Sequence, residues 1–493
     1  MKKIYLIWVI LFTSLSLEAQ VGFVKIYEDT IGGTNYKDAV IDEDTIVVYG
    51  LAFDTLTYQQ GLRFVKLDTF GNVLSSNFIM DTSVVLTTWQ GSKAFIRTTD
   101  GGYAMMGSLL TAAGEMYLLK LHHDLSLDFI KMIPLSITTS ALRFLELPDG
   151  YLIAGTDQYP GLILDPVVLK IDKQANVVWR KSYGTDLWED VYSIKQLSDN
   201  EFVVLGLGFK WNGVIGDYMG PSKGYALHID SVGNELEYWQ TDDGVIWDIA
   251  VLPDSSWICL SNFWVYNPTY DTGDPKAMLF RLDKNKNLMW RKDLATDEME
   301  SWTTAIAMTK DSNYIVSGIL SYDDYRIFHL KIDPAGDSLW VRQDTLTQTQ
   351  SWHPQTYVQN TLTLSTGSII TLGYTKRHVG DVYGTYGFVM KLSPDGCIDT
   401  LNCWPVANNE PFAQAKEVAV YPNPFGTYLT VNLPDYPKNA YIYFFDITGR
   451  FLRKERVRHG ANELDVGDFP KGMVFYEVRD GVVLLGRGKV VRN

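Results

Sequence analysis

Tryptophan residues recur where the chain enters runs of alternating apolar residues. Trp188, Trp247, Trp302 and Trp352 occupy equivalent places, and the long segments between other runs add Trp211, Trp264, Tyr266, Tyr270, Asp271 and Asp274. Aromatic rings stack on the faces of sugars and grip peptide side chains. These residues therefore form a candidate binding site for a glycan or a protein. The alternative is that the repeated tryptophans pack between neighbouring elements of the fold.

Other kinds of chemistry find little support in the residue types. The net charge of −15 argues against nucleic acid as a partner, because phosphate binding needs clusters of Lys and Arg. The seven His are scattered and the three Cys lack zinc-site spacing, so we expect no metal and no cofactor. Cys259 lies in an apolar run, whereas Cys397 and Cys403 are close enough to form a disulfide in an exported chain. No catalytic residue can be assigned.

The elements that would position the aromatic residues repeat along the chain. One motif, an apolar strand, a turn and a second strand, is seen in "VVLKIDKQANVVW" from Val167. Its marker residue recurs at spacings of 50 to 60 residues: Leu67, Leu121, Ile171, Ile229, Leu282, Ile332 and Leu392. A second motif runs in step and ends in Gly or Ser, as in "FVVLG" at Gly206. Four strands in each repeat are typical of a β-propeller blade.

The seven copies predict an all-β fold, a seven-bladed β-propeller over residues 20–404. The seventh copy lacks a good fourth strand, whereas residues 22–29 resemble the fourth strands of other copies. We therefore predict that this N-terminal segment completes blade 7 beside the strand around Met390, which removes an open edge. In each outer hairpin, an Asp such as Asp172 is expected to bond backbone N–H groups, and a Trp such as Trp179 to dock a neighbouring blade.

Single pieces of the sequence resemble propeller families with known chemistry. "KIDPAGDSLW" is similar to the Asp box of sialidase-like propellers but has different spacing, and the hairpins with Trp179, Trp290 and Trp340 resemble those of quinone-cofactor propellers, in which such Trp residues are structural. Neither resemblance supplies catalytic residues. We expect a binding or scaffold protein. The alternatives are a polysaccharide hydrolase or lyase with its site on the loop-rich face, and a spacer or adhesin without a small-molecule site.

The two ends of the chain carry segments of another kind. Two lysines precede a short apolar run, so residues 1–19 are expected to be a signal peptide, and the mature chain is expected to have no transmembrane segment. Residues 405–416 are rich in Pro, Asn and Gln and are predicted to be a linker. Residues 417–493 then contain short apolar strands that suit a small immunoglobulin-like β-sandwich.

Four motifs follow one another in this tail: "VYPNPF" from Val420, "FFDITGR" from Phe444, "NELDVGDFPKG" from Asn462 and the terminal "GRGKVVRN". In this order they resemble the type A C-terminal sorting domain of the Bacteroidetes type IX secretion system, with Val474 where the family usually has Tyr. The resemblance implies that the sorting signal includes Pro422, Asn423, Pro424, Gly449, Gly472 and Lys489.

The resemblance also implies export across the inner and outer membranes, with the type IX machinery as the partner of residues 417–493. The mature protein would then be attached to the cell surface or released. The sequence as a whole therefore predicts an exported β-propeller that binds a glycan or a protein, or serves as a scaffold, and that carries its own secretion signal at the C-terminus.

Overall fold

The structure is a computed structural model of the chain. It describes residues 22–27, 33–54, 57, 59–81, 85–88, 93–109, 116–133, 138–159, 163–185, 187–211, 218–241, 244–267, 272–294, 300–321, 325–346, 356–379, 382–398, 418–433, 440–446, 451–480 and 483–492. Every helix or strand assigned in these ranges is a β-strand. The predicted signal peptide, residues 1–19, and the predicted linker, residues 405–416, lie outside the described residues.

Within the described residues, seven sheets follow one another before residue 393, and we call them blades 1 to 7. Blade 1 contains β2 (Thr34–Asp42), β3 (Thr45–Phe53), β4 (Gln60–Asp68) and β5 (Val73–Ile79). Blade 2 contains β6 (Leu86–Thr87), β7 (Phe95–Arg97), β8 (Tyr103–Leu109), β9 (Met116–Leu121) and β10 (Leu127–Ile133). Blade 3 contains β11 (Thr138–Leu147), β12 (Gly150–Tyr159), β13 (Ile163–Asp172) and β14 (Val177–Ser182).

The next three blades have four strands each. Blade 4 contains β15 (Trp188–Ser198), β16 (Glu201–Trp211), β17 (Tyr218–Asp230) and β18 (Glu235–Thr241). Blade 5 contains β19 (Val245–Val251), β20 (Trp257–Asn267), β21 (Thr272–Leu282) and β22 (Leu288–Asp293). Blade 6 contains β23 (Glu300–Met308), β24 (Tyr314–Ser321), β25 (Tyr325–Ile332) and β26 (Ser338–Asp344).

Blade 7 takes its outermost strand from the other end of the propeller sequence. It contains β27 (Thr356–Thr363), β28 (Ile369–Val379), β29 (Val382–Leu392) and, paired antiparallel with β29, the N-terminal β1 (Phe23–Tyr27). In this pairing Val24 lies opposite Met390. The edge of β29 is thus covered by a strand from the start of the chain, in line with the predicted ring closure.

The hydrophobic core lies between blades rather than within them. Each pair of neighbouring blades encloses one cluster of buried apolar residues, and the cluster between blades 7 and 1 includes Phe23, Val48 and Val389. The innermost strand of each blade contacts the preceding blade, and β2 contacts β27, β28 and β29. The sheets therefore form a closed ring, the arrangement of a β-propeller.

The turn of the outer hairpin is held by one aspartate in several blades. In blade 3, Asp172 Oδ1 accepts hydrogen bonds from the backbone N–H groups of Gln174 at 2.9 Å and Asn176 at 2.8 Å. Its Oδ2 accepts from the Asn176 side chain at 2.8 Å. Asp68, Asp230 and Asp283 repeat this pattern, and Asp333 keeps one of the bonds. The predicted turn role of this series is confirmed.

The aromatic residues of the fourth strand dock the next blade along the ring. A Cβ atom built on Gly233 would lie 2.8 Å from the Trp179 ring, and one on Gly336 would lie 2.8 Å from Trp290. Both glycines have positive φ, 77° and 88°, which a non-glycine residue adopts only with strain. The docking role predicted for Trp179 is therefore confirmed, and no ligand can occupy this contact.

The described part of the tail forms two facing sheets. One contains β30 (Ala419–Tyr421), β31 (Tyr428–Leu433) and β34 (Gly460–Asp465), and the other contains β32 (Ala440–Phe445), β33 (Phe451–Arg456), β35 (Gly472–Asp480) and β36 (Val483–Arg492). A core that includes Leu429, Phe444 and Val474 lies between them. Tyr476 also enters this core, so an aromatic side chain two residues beyond Val474 fills space in the sandwich.

The predicted sorting residues gather along the last strand. Asn423 Oδ1, between Pro422 and Pro424, accepts a hydrogen bond from the Val491 N–H at 2.9 Å. Lys489 is exposed on the same strand, and Gly472 begins β35 with a φ of 105°. Gly449 lies outside the described residues. The first and last motifs of the tail therefore meet at the C-terminal strand, and the sorting role of these residues stays a prediction.

Candidate functional site

The innermost strand of six blades contains a β-bulge at the same point of the repeat. In blade 5, Ile246 pairs with Ser261 and Asp248 with Leu260, so Trp247 is the extra residue. The extra residues, which we call the bulge set, are Lys37, Leu142, Tyr192, Trp247, Thr304 and Gln359. A bulge bends the strand and re-aims a side chain, and bulges are frequent beside active sites. The described repeat thus offers equivalent positions around the propeller axis.

Two members of the bulge set form an aromatic pair across neighbouring blades. The ring centroids of Tyr192 and Trp247 are 4.1 Å apart, with planes inclined by 41°. Both side chains are half-buried. The Nε1 atom of Trp247 is nevertheless buried without a hydrogen-bond partner. A buried indole N–H usually finds a partner, but those of Trp290 and Trp340 in the outer hairpins also lack one. Trp247 differs from them by its place on an inner strand, beside Tyr192.

Two other members of the bulge set also carry buried polar groups. Gln359 is 7% exposed, and its Oε1 has no hydrogen-bond partner. Lys37 is 5% exposed, and its ammonium group lies over the Tyr374 ring, 5.6 Å from the centroid. Burial lowers the pKa of Lys37 to about 8. The bulge set therefore presents a donor, an acceptor, a cation and an aromatic pair.

The residue after each bulge forms a second level, which we call the channel ring: Asp38, Arg143, Ser193, Asp248, Ala305 and Asn360. The backbone position is the same in each blade, but the side chains are acidic, basic, neutral polar or apolar. All six residues are buried. Direct contacts join Asp248 to Arg143 and Ser193, and Asp38 to Asn360.

Asp248 is the centre of the largest ionic cluster in the channel ring. Its Oδ2 accepts from Arg143 Nη2 at 3.1 Å and lies 3.3 Å from Lys93 Nζ. Its Oδ1 accepts from Ser193 Oγ at 3.1 Å and lies 3.0 Å from Lys195 Nζ. Burial opposes ionisation, but the three cations outweigh it and hold the pKa of Asp248 well below its ordinary value. Four blades meet at this carboxylate.

Asp38 links the channel ring across the junction of blades 7 and 1. Its Oδ1 accepts from Asn360 Nδ2 at 2.7 Å and from the Ala39 N–H at 2.8 Å. Its Oδ2 accepts from the Phe95 N–H of blade 2 at 3.3 Å. Burial raises the pKa of Asp38 to about 6, although these hydrogen bonds lower it. The pKa values of the two carboxyl groups are thus shifted in opposite directions, up for Asp38 and down for Asp248.

A second group of charged residues lies where blades 3 and 4 meet. Its carboxylates are Asp157, Asp165, Glu189 and Asp190. Asp157 is fully buried and forms an ion pair with Arg180. Glu189 is also fully buried, and its Oε1 accepts from the Tyr238 hydroxyl at 2.5 Å. These bonds hold the two side chains in place.

Two carboxyl groups of this cluster, those of Asp165 and Glu189, have raised pKa values. Burial raises the pKa of Asp165, and the nearby charge of Asp157 raises it further. Burial also raises the pKa of Glu189, and Asp165 adds to that shift. Carboxylates with raised pKa values are the kind that general acid and base catalysis uses, but structural clusters show the same shifts.

The structure brings only some of the predicted aromatic residues together. Trp188 and Trp247 pack on the same small apolar cluster of blade 4, where the Trp188 ring lies 4.5 Å from Phe209. Trp302 packs on a different core, between blades 6 and 7. All three are half-buried. Trp188 and Trp302 thus have contacts that suit a packing role, whereas Trp247 combines packing with a free donor atom.

The segments expected to be irregular loops are largely paired strand, which corrects that expectation. Trp211 ends β16 and pairs with Tyr218, and Trp264 in β20 pairs with Pro275. Tyr266 and Asp274 also lie within the β20–β21 ladder. The ladder continues because each further pair satisfies backbone N–H and C=O groups that would otherwise need other partners. Tyr270, Asp271 and Trp352 lie outside the described residues.

The cysteines also take different roles. Cys397 is disulfide-bonded, and its expected partner Cys403 lies outside the described residues. Cys259 is a buried free thiol, and burial raises its pKa. In the part of the chain that the structure describes, no group of three or more His, Cys, Asp or Glu residues could hold a metal ion.

Sequence reasoning missed the channel ring and the three cations around Asp248. One signal was present: each channel-ring residue stands 12 or 13 positions before the Gly or Ser that ends the second motif, as in "YKDAV", "IWDIA" and "VQNTL". Polar residues at that fixed offset interrupt runs that are otherwise apolar. Aligning the repeats on the second motif would have placed Asp38, Asp248 and Asn360 at one level.

The fold and these sites define the first part of the chain as a β-propeller and the tail as a β-sandwich. Residues 419–486 match the family of secretion system C-terminal sorting domains. The tail is therefore a type IX secretion C-terminal sorting domain. The protein is exported across both membranes to the cell surface or the extracellular space.

Solved propellers resemble the chain at low identity. The β-propeller domain of the Trilobed protease from Pyrococcus furiosus is 11% identical, with 73% of this chain and 94% of that chain covered and a TM-score of 0.40. The periplasmic gluconolactonase PpgL of Pseudomonas aeruginosa is 10% identical, with 73% and 96% covered and a TM-score of 0.41. The polysaccharide lyase Uly1 is 8% identical, with 75% and 92% covered and a TM-score of 0.44.

These similarities give no indication of a ligand or a reaction. No curated protein matches the sequence. Among the described residues, no helix is long and apolar enough to cross a membrane.

Proposed function

We propose that the propeller is a glycan-binding protein of the cell surface or the extracellular space, and that the bulge set forms its binding site. The domain division predicted above goes with this proposal: a binding propeller over residues 20–404, a linker over 405–416 and the sorting tail. There are two alternatives to this proposal. In the first the ligand is a protein, and in the second the propeller is a spacer without a small-molecule site.

One observation carries the proposal. The Trp247 Nε1 donor and the Gln359 Oε1 acceptor are both buried and unpaired at the same position of the repeat. Leaving a buried donor or acceptor without a partner costs about 1–3 kcal/mol, so a ligand that bonds to such an atom would recover that free energy. The sugar units of a glycan offer hydroxyls to such atoms and an apolar face to an aromatic ring. The Tyr192–Trp247 pair supplies that ring.

A matched pair of substitutions in one blade tests the proposal. Full-length exported protein would be screened on a glycan array and on surface polysaccharides, with Trp247→Ala and Trp290→Ala beside the wild type. We expect Trp247→Ala to lose at least tenfold in affinity, because both the donor and the ring are removed. Trp290 also has a buried Nε1 without a partner, but it lies in an outer hairpin, where it packs on the core of blades 5 and 6 and against Gly336. Trp290→Ala therefore controls for the loss of an indole and should bind as the wild type. Binding of proteins alone, or equal binding by both variants, would refute the proposal.

A polysaccharide hydrolase or lyase is the second candidate, and the carboxylate group of blades 3 and 4 favours it. Asp165 and Glu189 have raised pKa values, as a general acid needs. The same array ligands, incubated with the protein, would show new reducing ends or unsaturated products if the chain is an enzyme. Turnover that is lost in Asp165→Asn would move the function from binding to catalysis.

A further inference from the structure

We propose that the cations around Asp248 form an anion-binding site, and that it recognises a carboxylate or sulfate group of an acidic glycan. The identity of the ligand as a glycan rests on the function proposed above. The anion site itself rests on separate observations at the channel ring, one level deeper than the bulge set. These observations are the excess of cations over carboxylates, the unused Nε donor of Arg143, the existing partners of Asp42 and the partial exposure of Lys195.

The charge balance of the channel ring leaves one cation in excess. Lys93, Arg143 and Lys195 surround Asp248, and Lys93 and Arg143 also act electrostatically on Asp38. Within the described residues, three cations thus face two carboxylates. The Lys93 and Arg143 side chains are only 13% and 10% exposed. An uncompensated buried charge is costly, so a bound anion would stabilise this arrangement.

Arg143 has hydrogen-bonding capacity that the protein leaves unused. Its Nη2 donates to Asp248, whereas its Nε is buried without a partner. A guanidinium group carries five N–H donors in a planar fork that matches the oxygens of carboxylates and other oxyanions. The unpaired Nε therefore points to a second oxyanion beside the one that Asp248 supplies.

A nearby acidic residue of the chain cannot supply that oxyanion. Asp42 lies on the same strand as Asp38, but it already has four partners of its own, one of which is His123, with its Nε2 3.1 Å from Asp42 Oδ2. Its Oδ2 accepts from the Tyr103 hydroxyl at 2.5 Å and lies 3.3 Å from Lys66 Nζ. Its Oδ1 lies 2.5 Å from Arg97 Nε. The excess charge of the channel ring is therefore not neutralised by this carboxylate.

One cation of the cluster is accessible to solvent. The Lys195 side chain is 32% exposed, although the carboxylate it contacts is 2% exposed. Trp247 and Gln359 of the bulge set immediately precede Asp248 and Asn360 of the channel ring. A sugar held at the bulge set would therefore place a charged substituent within reach of these cations. Neutral sugars would gain no binding free energy from the cations of the channel ring.

The test compares three oligosaccharides of equal length: neutral galactan, galacturonan and sulfated galactan. They would be titrated into full-length protein at constant ionic strength. We expect the wild type to bind at least one acidic form tenfold more tightly than the neutral form, which corresponds to about 1.4 kcal/mol. A preference for galacturonan identifies a carboxylate ligand, and a preference for sulfated galactan identifies a sulfate ligand. Either preference supports the site.

Two variants and one control assign that preference to the cluster. Lys195→Gln is expected to abolish it without unfolding the protein, because Lys195 is partly exposed. Arg143→Lys keeps the charge beside Asp248 but removes Nε, and should lower the preference several-fold. Lys284→Gln, an exposed lysine on an outer turn, removes the same charge elsewhere and should change nothing. An acidic preference that survives in Lys195→Gln, or none in the wild type, would overturn the anion site.

Failure of the anion site can be told apart from failure of the proposed function. Equal binding of all three oligosaccharides would leave glycan binding intact and remove only the anion site. If no oligosaccharide binds, the proposed function fails, and inorganic sulfate then decides the anion site alone. Thermal stabilisation by sulfate over chloride at equal ionic strength, absent in Lys195→Gln, would uphold it. No such stabilisation would overturn it.

Discussion

The outer turn and the inner bulge of blade 5 both recur around the ring, but they recur in different ways. In the outer turn the side chain itself repeats: Asp283 bonds Asn287 as Asp172 bonds Asn176. At the bulge only the backbone repeats, and the residues that follow it are acidic, basic, neutral polar or apolar.

The difference distinguishes the positions that maintain the architecture of a repeat protein from the positions that can serve its function. A side chain that every blade needs for the same contact is conserved among the copies, because each copy solves the same packing problem. A position with a fixed backbone and varied side chains is free of that demand. The channel ring uses this freedom to join blades through Asp248 and Asp38. We therefore place the ligand where the copies differ, and the following predictions test that separation.

The largest effect is expected from removing the centre of the channel ring. Asp248→Ala leaves three cations without their shared carboxylate, two of them largely buried, and breaking a buried ion pair in this way costs about 3–5 kcal/mol. Asp283→Ala removes an exposed turn aspartate of the same blade and should destabilise the protein far less. Urea unfolding followed by tryptophan fluorescence measures both. Equal losses in the two variants would contradict the special position of Asp248.

A smaller effect on the free energy of unfolding, about 3 kcal/mol, is expected from a buried polar residue at a strand position that is otherwise apolar. His329 stands where the six other copies have Leu, Val, Phe or Ala and is fully buried, with its Nε2 2.8 Å from Thr371 Oγ1. Burial lowers the pKa of His329 to about 4. Since the unfolded chain binds this proton near pH 6.5, the stability it contributes is present above that pH and is lost as the pH falls towards 4.

A repeat-like substitution provides the control for this pH dependence. In His329→Leu the residue matches the apolar type of the other copies and does not titrate. Urea unfolding at intervals between pH 7 and pH 4 should therefore give a shallower loss of stability than in the wild type. Identical pH profiles of the two proteins would show that His329 does not carry this dependence.

The features that could be predicted from the sequence are those that recur. The blade strands, the turn role of Asp172 and the docking role of Trp179 depend on local patterns seen in several copies. The pairing of β1 with β29 could be predicted because the N-terminal segment resembles the fourth strands. The four tail motifs indicated the sorting domain because they follow one another in order within residues 420–493, and the match of residues 419–486 to that family confirms it.

The candidate site could not be predicted in the same way. Lys93 lies 155 positions from Asp248, and Asp38 lies 322 positions from Asn360. One sequence does not show which side chains meet across the axis, because each innermost strand contributes only one or two residues. A single bulge also leaves no clear mark in an alternating apolar pattern. The sequence indicates Trp247 as a candidate binding residue because of its aromatic ring, whereas the absence of a partner for its Nε1 depends on the residues around it in the fold.

The central claim is that ligand occupies the inner positions that vary and avoids the outer positions that repeat. Hydroxyl-radical footprinting of the full-length protein, with and without its best array ligand, tests this in one measurement. Trp247 and Tyr192 are half-buried on inner strands, and Trp179 and Trp290 are half-buried in outer hairpins. We predict that ligand protects Trp247 and Tyr192 and leaves Trp179 and Trp290 unchanged. Protection of the outer pair alone would contradict the account.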